Sequence, residues 1–372
     1  MLFHALNLPG NDLKLEDIMM FNVGIIGCGK MGQVHAEIFS AYPNCQVTGL
    51  YNRSIEKAQV LQKKIPGAVV YSSWQEMLAD DQIQIIAIST PQYQRLEQYQ
   101  TAMKYNKHIF AEKPVSLGLD DLKELMIALQ DYQFCFYVDS QLRSHPAIHA
   151  INRELHRIGR IFHIDMEFSM FREEIKWKNK LLAGGGILRE LCSHLIDQAN
   201  EWLGECRSVC SNNKIILSGR ENEDYSVNLI EYKNGATLML SSNYFEHKGK
   251  LYVGRILGEL GQIDFQFSSY NPQDSSVTLY VQDEKIVLPV EIPGPSDINS
   301  IYPGHMDSFK KEITRFMGLV ETNQRAMDTL EIEWQATQII SASYESTRID
   351  QKIFLPLESF PIENLKDCFR RF

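Results

Sequence analysis

Over residues 21–138, short apolar runs alternate with longer amphipathic stretches. "FNVGII", "CQVTGLY", "AVVY", "IQIIAIS", "KHIFAE" and "QFCFYV" have strand length. They are too uniformly apolar to face water on one side. Helical stretches lie between them, such as Lys30 to Ala41 and "SIEKAQVLQKK". Strands separated by helices of about 10–15 residues predict crossover units and a parallel sheet covered on both faces. From "RIFHIDMEFSM" onward the pattern changes. "IILSG", the long run from Asp224 to Phe267 and "VTLYVQDEKIVLPV" are rich in β-branched and aromatic residues, and "YKNGAT" carries the Asn234-Gly235 signature of a tight hairpin. A run of strands after a βα series points to a separate α+β domain beginning near Ser140. The expected division is an extension over 1–20, a dinucleotide-binding domain over 21–139, and a substrate and oligomerisation domain over 140–372.

Composition narrows the class. A chain of 372 residues is long for one core. Its 44% hydrophobic and 23% charged residues fit a globular protein. A net charge of −10 argues against nucleic-acid or anionic-membrane partners. No apolar run reaches the roughly 20 residues that span a bilayer. Seven cysteines include no C-x-x-C pair, which reads as reduced thiols in a cytoplasmic protein with no metal site. The first 20 residues lack the positive start and unbroken apolar stretch of a secretory signal.

The turn Gly27-Cys28-Gly29-Lys30-Met31-Gly32 follows the first strand and opens a helix, where a dinucleotide fingerprint belongs. Gly27 permits the tight turn, Gly29 admits a pyrophosphate, and Gly32 lets helix and strand approach. The helix N-terminus then offers free N–H groups to the diphosphate. At the end of the second strand stand Asn52 and Arg53. No acid is present there to hold a ribose 2′-hydroxyl, and Arg53 could pair a 2′-phosphate, so NAD or NADP is expected with a lean to NADP. Ser89-Thr90-Pro91 and Glu112-Lys113-Pro114 end the fourth and fifth strands, on the carboxyl edge where open α/β sheets bind ligands. A lysine at that edge can hold a reacting oxygen. In "GGGILRELCSHLID", Glu190 and His194 lie four apart, which predicts a helix with a carboxylate and an imidazole on one face.

"GIIGCGKMGQVHAEIF", "AEKPVS" and "GGGILRELCSHLID", in that order, resemble the glucose–fructose oxidoreductase / inositol dehydrogenase (Gfo/Idh/MocA) family. The likeness runs from about Phe21 to Leu355 and takes in "QLRSHP", "RIGRIFHI" and "YPGHMDSFKKEITRF". It implies a Rossmann domain followed by an α+β domain with a large, mainly antiparallel open sheet. It also implies hydride transfer between nicotinamide and a secondary alcohol or ketone of a sugar, cyclitol or related polyol, with Lys113 and His194 as the catalytic pair. Gly27, Gly29, Lys30, Met31, Gly32, Asn52, Arg53, Ser89, Thr90, Pro91, Glu112 and Lys113 would hold the cofactor. Arg143, Trp177, Glu190 and His194 would face the substrate. A homo-oligomer, dimer or tetramer, is implied as well.

Three departures from the family pattern stand out. Glu190 replaces the usual Asp at the third catalytic position, Cys192 stands where Gly is common, and Arg95 stands where a His is common. Arg95 reads equally as a phosphate or carboxylate contact and as a helix-surface residue. Asp197, one turn past His194, is a candidate to orient the imidazole. Other classes on the same scaffold are a non-catalytic NAD(P) sensor, a redox-assisted lyase or glycosidase, and an imine or alkene reductase.

Overall fold

The computed structural model describes residues 20–171, 178–184, 186–247, 251–268, 271–291 and 305–371. Six strands, β1 (Phe21–Ile26), β2 (Cys45–Tyr51), β3 (Val69–Val70), β4 (Ile85–Ile88), β5 (His108–Ala111) and β6 (Phe136–Val138), form an all-parallel sheet. Its order, β3-β2-β1-β4-β5-β6, is that of a doubly wound dinucleotide-binding sheet. The order reverses between β1 and β4, so the glycine turn after β1 and Ser89-Thr90 after β4 share one crevice.

Five helices connect these strands: α1 (Lys30–Ala41), α2 (Ile55–Gln62), α3 (Trp74–Ala79), α4 (Arg95–Lys104) and α5 (Leu119–Ala128). Helix α6 (Pro146–Glu154) then leads into the second sheet, and α7 (Ser193–Leu203) packs beneath it.

The second sheet is built from β7 (Ile161–Ser169), β8 (Cys206–Ile215), β9 (Tyr225–Tyr232), β10 (Thr237–Asn243), β11 (Leu251–Gly258), β12 (Gly261–Ser268), β13 (Ser276–Val281), β14 (Glu284–Leu288), β15 (Ile353–Phe354) and β16 (Arg370–Arg371). It runs β14-β13-β12-β11-β7-β10-β9-β8-β15, with β16 also on β8. The pairs are antiparallel except β7–β10 and β8–β16. The Asn234-Gly235 turn joins β9 to β10, and Gly235 supplies the positive φ of 88° that the turn needs.

Two local expectations change. The strand expected at "IILSG" lies earlier, at Cys206–Ile215. Its inward positions include the fully buried Ser208 and Asn213, so hydropathy alternation hides it. Asn213 satisfies itself by donating to the Ser343 carbonyl at 3.2 Å and the Thr347 hydroxyl at 2.8 Å.

Helix α9 (Met327–Ile349), 23 residues long, was not anticipated, because its face of buried Thr, Ser, Gln and Glu shows no apolar stripe. The second change is a π-helical turn at Leu188–Cys192, where a continuous α-helix was expected.

Helix α8 (Met306–Glu321) returns to the first sheet, where Phe309, Ile313, Phe316 and Met317 join the core beneath α1. Phe316 meets Phe39, Phe110 and Tyr137 with ring centroids 6.1, 5.3 and 5.8 Å away. Phe316→Ala is therefore expected to cost about 3–5 kcal/mol in urea unfolding. A loss under about 1 kcal/mol would show that α8 contributes little to that core.

Candidate active site

The glycine turn has the shape of a phosphate cradle. Gly27 has φ +99°, and a Cβ there would stand 2.9 Å from the Ser89 carbonyl group. A Cβ on Gly32 would lie 1.9 Å from the Gly27 oxygen, so only glycine lets α1 start so close to β1. Gly29 has open space around its Cβ direction. Lys30 and Met31 open α1, whose N-terminus carries no side-chain cap and so keeps donors free for an anion.

Asn52 ties the turn to β2: its Oδ1 accepts the Cys28 N–H at 3.0 Å, and its amide donates to the Ser54 carbonyl at 2.9 Å. Arg53 is exposed beside it, 3.4 Å from the Tyr93 hydroxyl. Ser89 shares a 3.0 Å hydrogen bond with His35, and Thr90 donates to Gln98 at 2.6 Å. The sheet thus gathers Gly27, Gly29, Lys30, Met31, Gly32, Asn52, Ser89, Thr90 and Pro91 at the carboxyl ends of β1, β2 and β4.

Lys113 leaves the end of β5 in a segment braced from behind. Arg95 is buried, neither on the helix surface nor open to a ligand anion. Its Nε donates to the Thr90 carbonyl at 2.7 Å, and its Nη1 donates to the carbonyls of Glu112, at 2.5 Å, and Pro114. From the other side, Glu333 of α9 accepts the Val115 N–H at 2.9 Å. The Lys113 ammonium crosses to the second sheet's side and donates to the Glu190 backbone carbonyl at 2.6 Å. Burial pushes its pKa down to about 8, against the pull of Glu112, Glu190 and Glu333. Burial raises Glu333 to about 7.

Behind Glu112 lies a further buried group. His35 Nε2 is 3.4 Å from Asp139 and 3.8 Å from Glu112. Burial lowers His35 to about 4 and holds Asp139 well above the carboxylate range, so imidazole and acid are both favoured in their neutral forms.

The facing segment starts with two close approaches. Gly184 has φ +81°, and a Cβ there would stand 2.0 Å from Gln92 Oε1. One on Gly186 would stand 2.0 Å from Glu223 Oε2. The π-helical turn at Leu188–Cys192 then places Glu190 ahead of α7. Wide turns of this kind recur at functional sites because they re-aim carbonyls and side chains. Glu190 pairs with Lys178, and the Tyr244 hydroxyl lies 3.5 Å from its other oxygen.

His194 is buried, and burial, the Lys113 charge and His305 together hold its pKa well below the ordinary imidazole value. Asp197 is held by Arg143 at 2.6 Å through Nη2 and 3.0 Å through Nε, while Arg143 Nη1 stands 3.9 Å from Glu201. Arg143 therefore spends its donors on acids of α7, and Asp197 faces that guanidinium. Trp177 lies outside the described residues.

Lys113, Glu190 and His194 thus converge where the two sheets meet. Glu223, Glu333 and Tyr244 carried no local signal. Each is a polar residue whose importance comes from distant partners, whereas Glu190 and Arg95 departed visibly from the family pattern.

Known proteins match both parts of the chain. The Gfo/Idh/MocA model, an oxidoreductase family with an NAD-binding Rossmann fold, matches residues 21–140. The model of the Gfo/Idh/MocA C-terminal domain matches residues 154–264, and the two together span more than half of the chain. An uncharacterised oxidoreductase of Bacillus subtilis is 23% identical over 330 residues, 87% of this chain and 93% of that protein. Levoglucosan dehydrogenase of Pseudarthrobacter phenanthrenivorans is 26% identical over 204 residues, 50% of this chain and 52% of its own length. A solved levoglucosan dehydrogenase in complex with NADH shares the fold, with a TM-score of 0.80 at 19% identity over 91% of this chain and 100% of that one.

Arg95→Ala strips three buried carbonyls of their donor and is expected to cost about 3 kcal/mol of stability, read by urea or thermal unfolding. Arg95→Lys recovers only part, because an ammonium cannot span the same fork. Equal stability of all three proteins would count against the brace.

Proposed function

The chain belongs to the Gfo/Idh/MocA family of oxidoreductases, and from that membership we propose that it oxidises a secondary alcohol of a sugar, cyclitol or related polyol, reversibly, with Lys113 and His194 as the catalytic pair. NAD(P)-dependent dehydrogenase chemistry at CH–OH groups is the family's common ground with its named relatives. These include a scyllo-inositol 2-dehydrogenase (NADP+) of Bacillus subtilis, 23% identical over 240 residues and covering 63% of either chain.

The observation that carries the catalytic assignment is the Lys113 ammonium bridging to the Glu190 carbonyl, at the start of the segment that bears His194. The cradle fits a dinucleotide: space is open at Gly29, and α1 begins without a side-chain cap. When bound there, the nicotinamide supplies the hydride acceptor. His194, neutral at ordinary pH, takes the hydroxyl proton at its imidazole nitrogen. Lys113 donates to the same oxygen as negative charge builds on it and holds the carbonyl that forms when the hydride leaves the carbinol carbon. Glu190, fixed by Lys178 and Tyr244, presents a carboxylate to the sugar hydroxyls. Reduction runs the same steps in reverse.

The exposed Arg53, with no acid at the end of β2, supports NADP over NAD. The division between cofactor and substrate lobes falls near Ser140, although α8 and α9 reach back to the first lobe. On the second sheet's outer face, Leu229 and Met239 stand opposite each other, both over a third exposed, with Val253 and Val287 also exposed. That apolar face supports a homo-oligomer, dimer or tetramer. The free state of all seven cysteines and the lack, among the described residues, of a helix able to cross a membrane support a cytoplasmic location.

A panel of polyols, sugars and sugar acids with NAD and with NADP, followed by nicotinamide absorbance, tests the reading. Lys113→Ala or His194→Ala is expected to lower turnover about 10²–10⁴-fold with cofactor binding retained. Parental turnover in both would remove the pair.

Lys113 must keep its proton to hold the oxygen, so alcohol oxidation is expected to fall above pH about 8. Lys113→Arg, if active, shifts that limb upward. A limb that stays in place in the arginine variant would assign it to another group.

A further inference from the structure

A carboxylate from a different element explains the glycine just ahead of the catalytic turn. Glu223, two residues before β9, is fully buried. Its Oε1 accepts the Leu188 N–H at 3.1 Å and the Tyr344 hydroxyl at 2.9 Å. Its backbone carbonyl accepts the Ile187 N–H at 3.1 Å. Two of the N–H groups that open the helical run are thereby satisfied by one residue. A Cβ on Gly186 would enter the space of this carboxylate, 2.0 Å from Oε2 and 2.1 Å from Oε1. Glycine at 186 and glutamate at 223 are two halves of one fitting.

Tyr344 is itself fixed: it is buried in α9, and the Arg189 guanidinium lies 5.2 Å from its ring centre. The same helix carries Glu333, which holds Val115 two residues past Lys113. Along α9 the two side chains are about 16 Å apart, three turns of a continuous helix. One rigid element thus touches the support of the lysine and the support of the histidine.

We propose that Glu223 is a positioning residue: its buried carboxylate, clamped by Tyr344, sets where Glu190 and His194 stand relative to Lys113. The proposal rests on the reading of Lys113 and His194 as the reacting pair. Four groups face the carboxylate: Arg189 and Cys192 of the catalytic segment, Tyr344 of α9 and Cys368 of the C-terminal segment. Burial raises Glu223 to about 7, with Arg189 opposing, and Oε1 can accept both hydrogen bonds whether the acid is charged or neutral. An amide oxygen can take its place.

The test uses the full chain with Glu223→Ala, Glu223→Gln and Tyr344→Phe. It compares kcat, KM for the alcohol, cofactor affinity and amide hydrogen exchange over residues 187–195. Glu223→Ala is expected to lower kcat roughly 10–10²-fold with cofactor affinity unchanged, the scale of a small misplacement of reacting groups. Exchange in that segment should quicken. Glu223→Gln should recover most of both losses. Tyr344→Phe, which removes one donor without opening a cavity, should move kcat and exchange the same way by less, and it carries the test if the alanine variant fails to fold.

Parental kcat and exchange in the folded variants overturn the proposal, as does a loss that glutamine does not repair. Exchange is read without substrate. A parent chain that turns over no alcohol therefore defeats the catalytic reading while the positioning of 187–195 is still judged.

Discussion

Burying one ammonium group between two sheets is the constraint around which the molecule is arranged. An isolated cation taken out of water is costly, and it is tolerated only where carboxylates and carbonyls replace its hydration. Lys113 finds them on three sides: Glu112 beside it in the chain, Glu333 from α9, and the Glu190 carbonyl across the cleft. Each of these carboxylates is costly to bury as well, which is why Glu112 and Glu333 are pushed toward their neutral forms. The balance leaves a lysine that gives up its proton from about pH 8, well below the ordinary lysine range.

Such a site is stable only if its backbone cannot relax away from it. Arg95 ties the ends of β4 and β5 together through carbonyls of Thr90, Glu112 and Pro114, so the cofactor edge and the lysine move as one piece. On the opposite side, Glu223 and the π-helical turn hold the segment that bears His194. Helix α9 spans the two supports, and its unusual inner face of Ser, Thr, Gln and Glu reflects the partners it must satisfy: Val115, the Leu357 backbone, β8 and Glu223. A purely apolar helix would pack there but would leave those groups without hydrogen bonds.

Glu190 shows how a conservative departure is absorbed. One methylene longer than the usual aspartate, its carboxylate reaches Lys178 and lies near Tyr244, while its backbone carbonyl receives Lys113. Side chain and main chain of a single residue therefore serve different neighbours. The lysine contact is kept because it does not depend on the side chain.

What the sequence determined by itself was everything enforced locally. The parallel sheet was legible because β1, β4, β5 and β6 are apolar and almost wholly buried, and the glycine turn because only glycine satisfies the close contacts at positions 27 and 32. Lys113, Glu190 and His194 were marked as candidates by a family likeness carried by short, ordered motifs. Tertiary structure alone decided the inward turn of Arg95, strand β8, helix α9, and the roles of Glu223 and Glu333. These are polar residues buried against partners far along the chain, 218 positions away for Val115 and Glu333. Hydrophobic periodicity reports which side of an element avoids water. It is silent where a polar side chain is buried because a distant hydrogen bond has replaced the water.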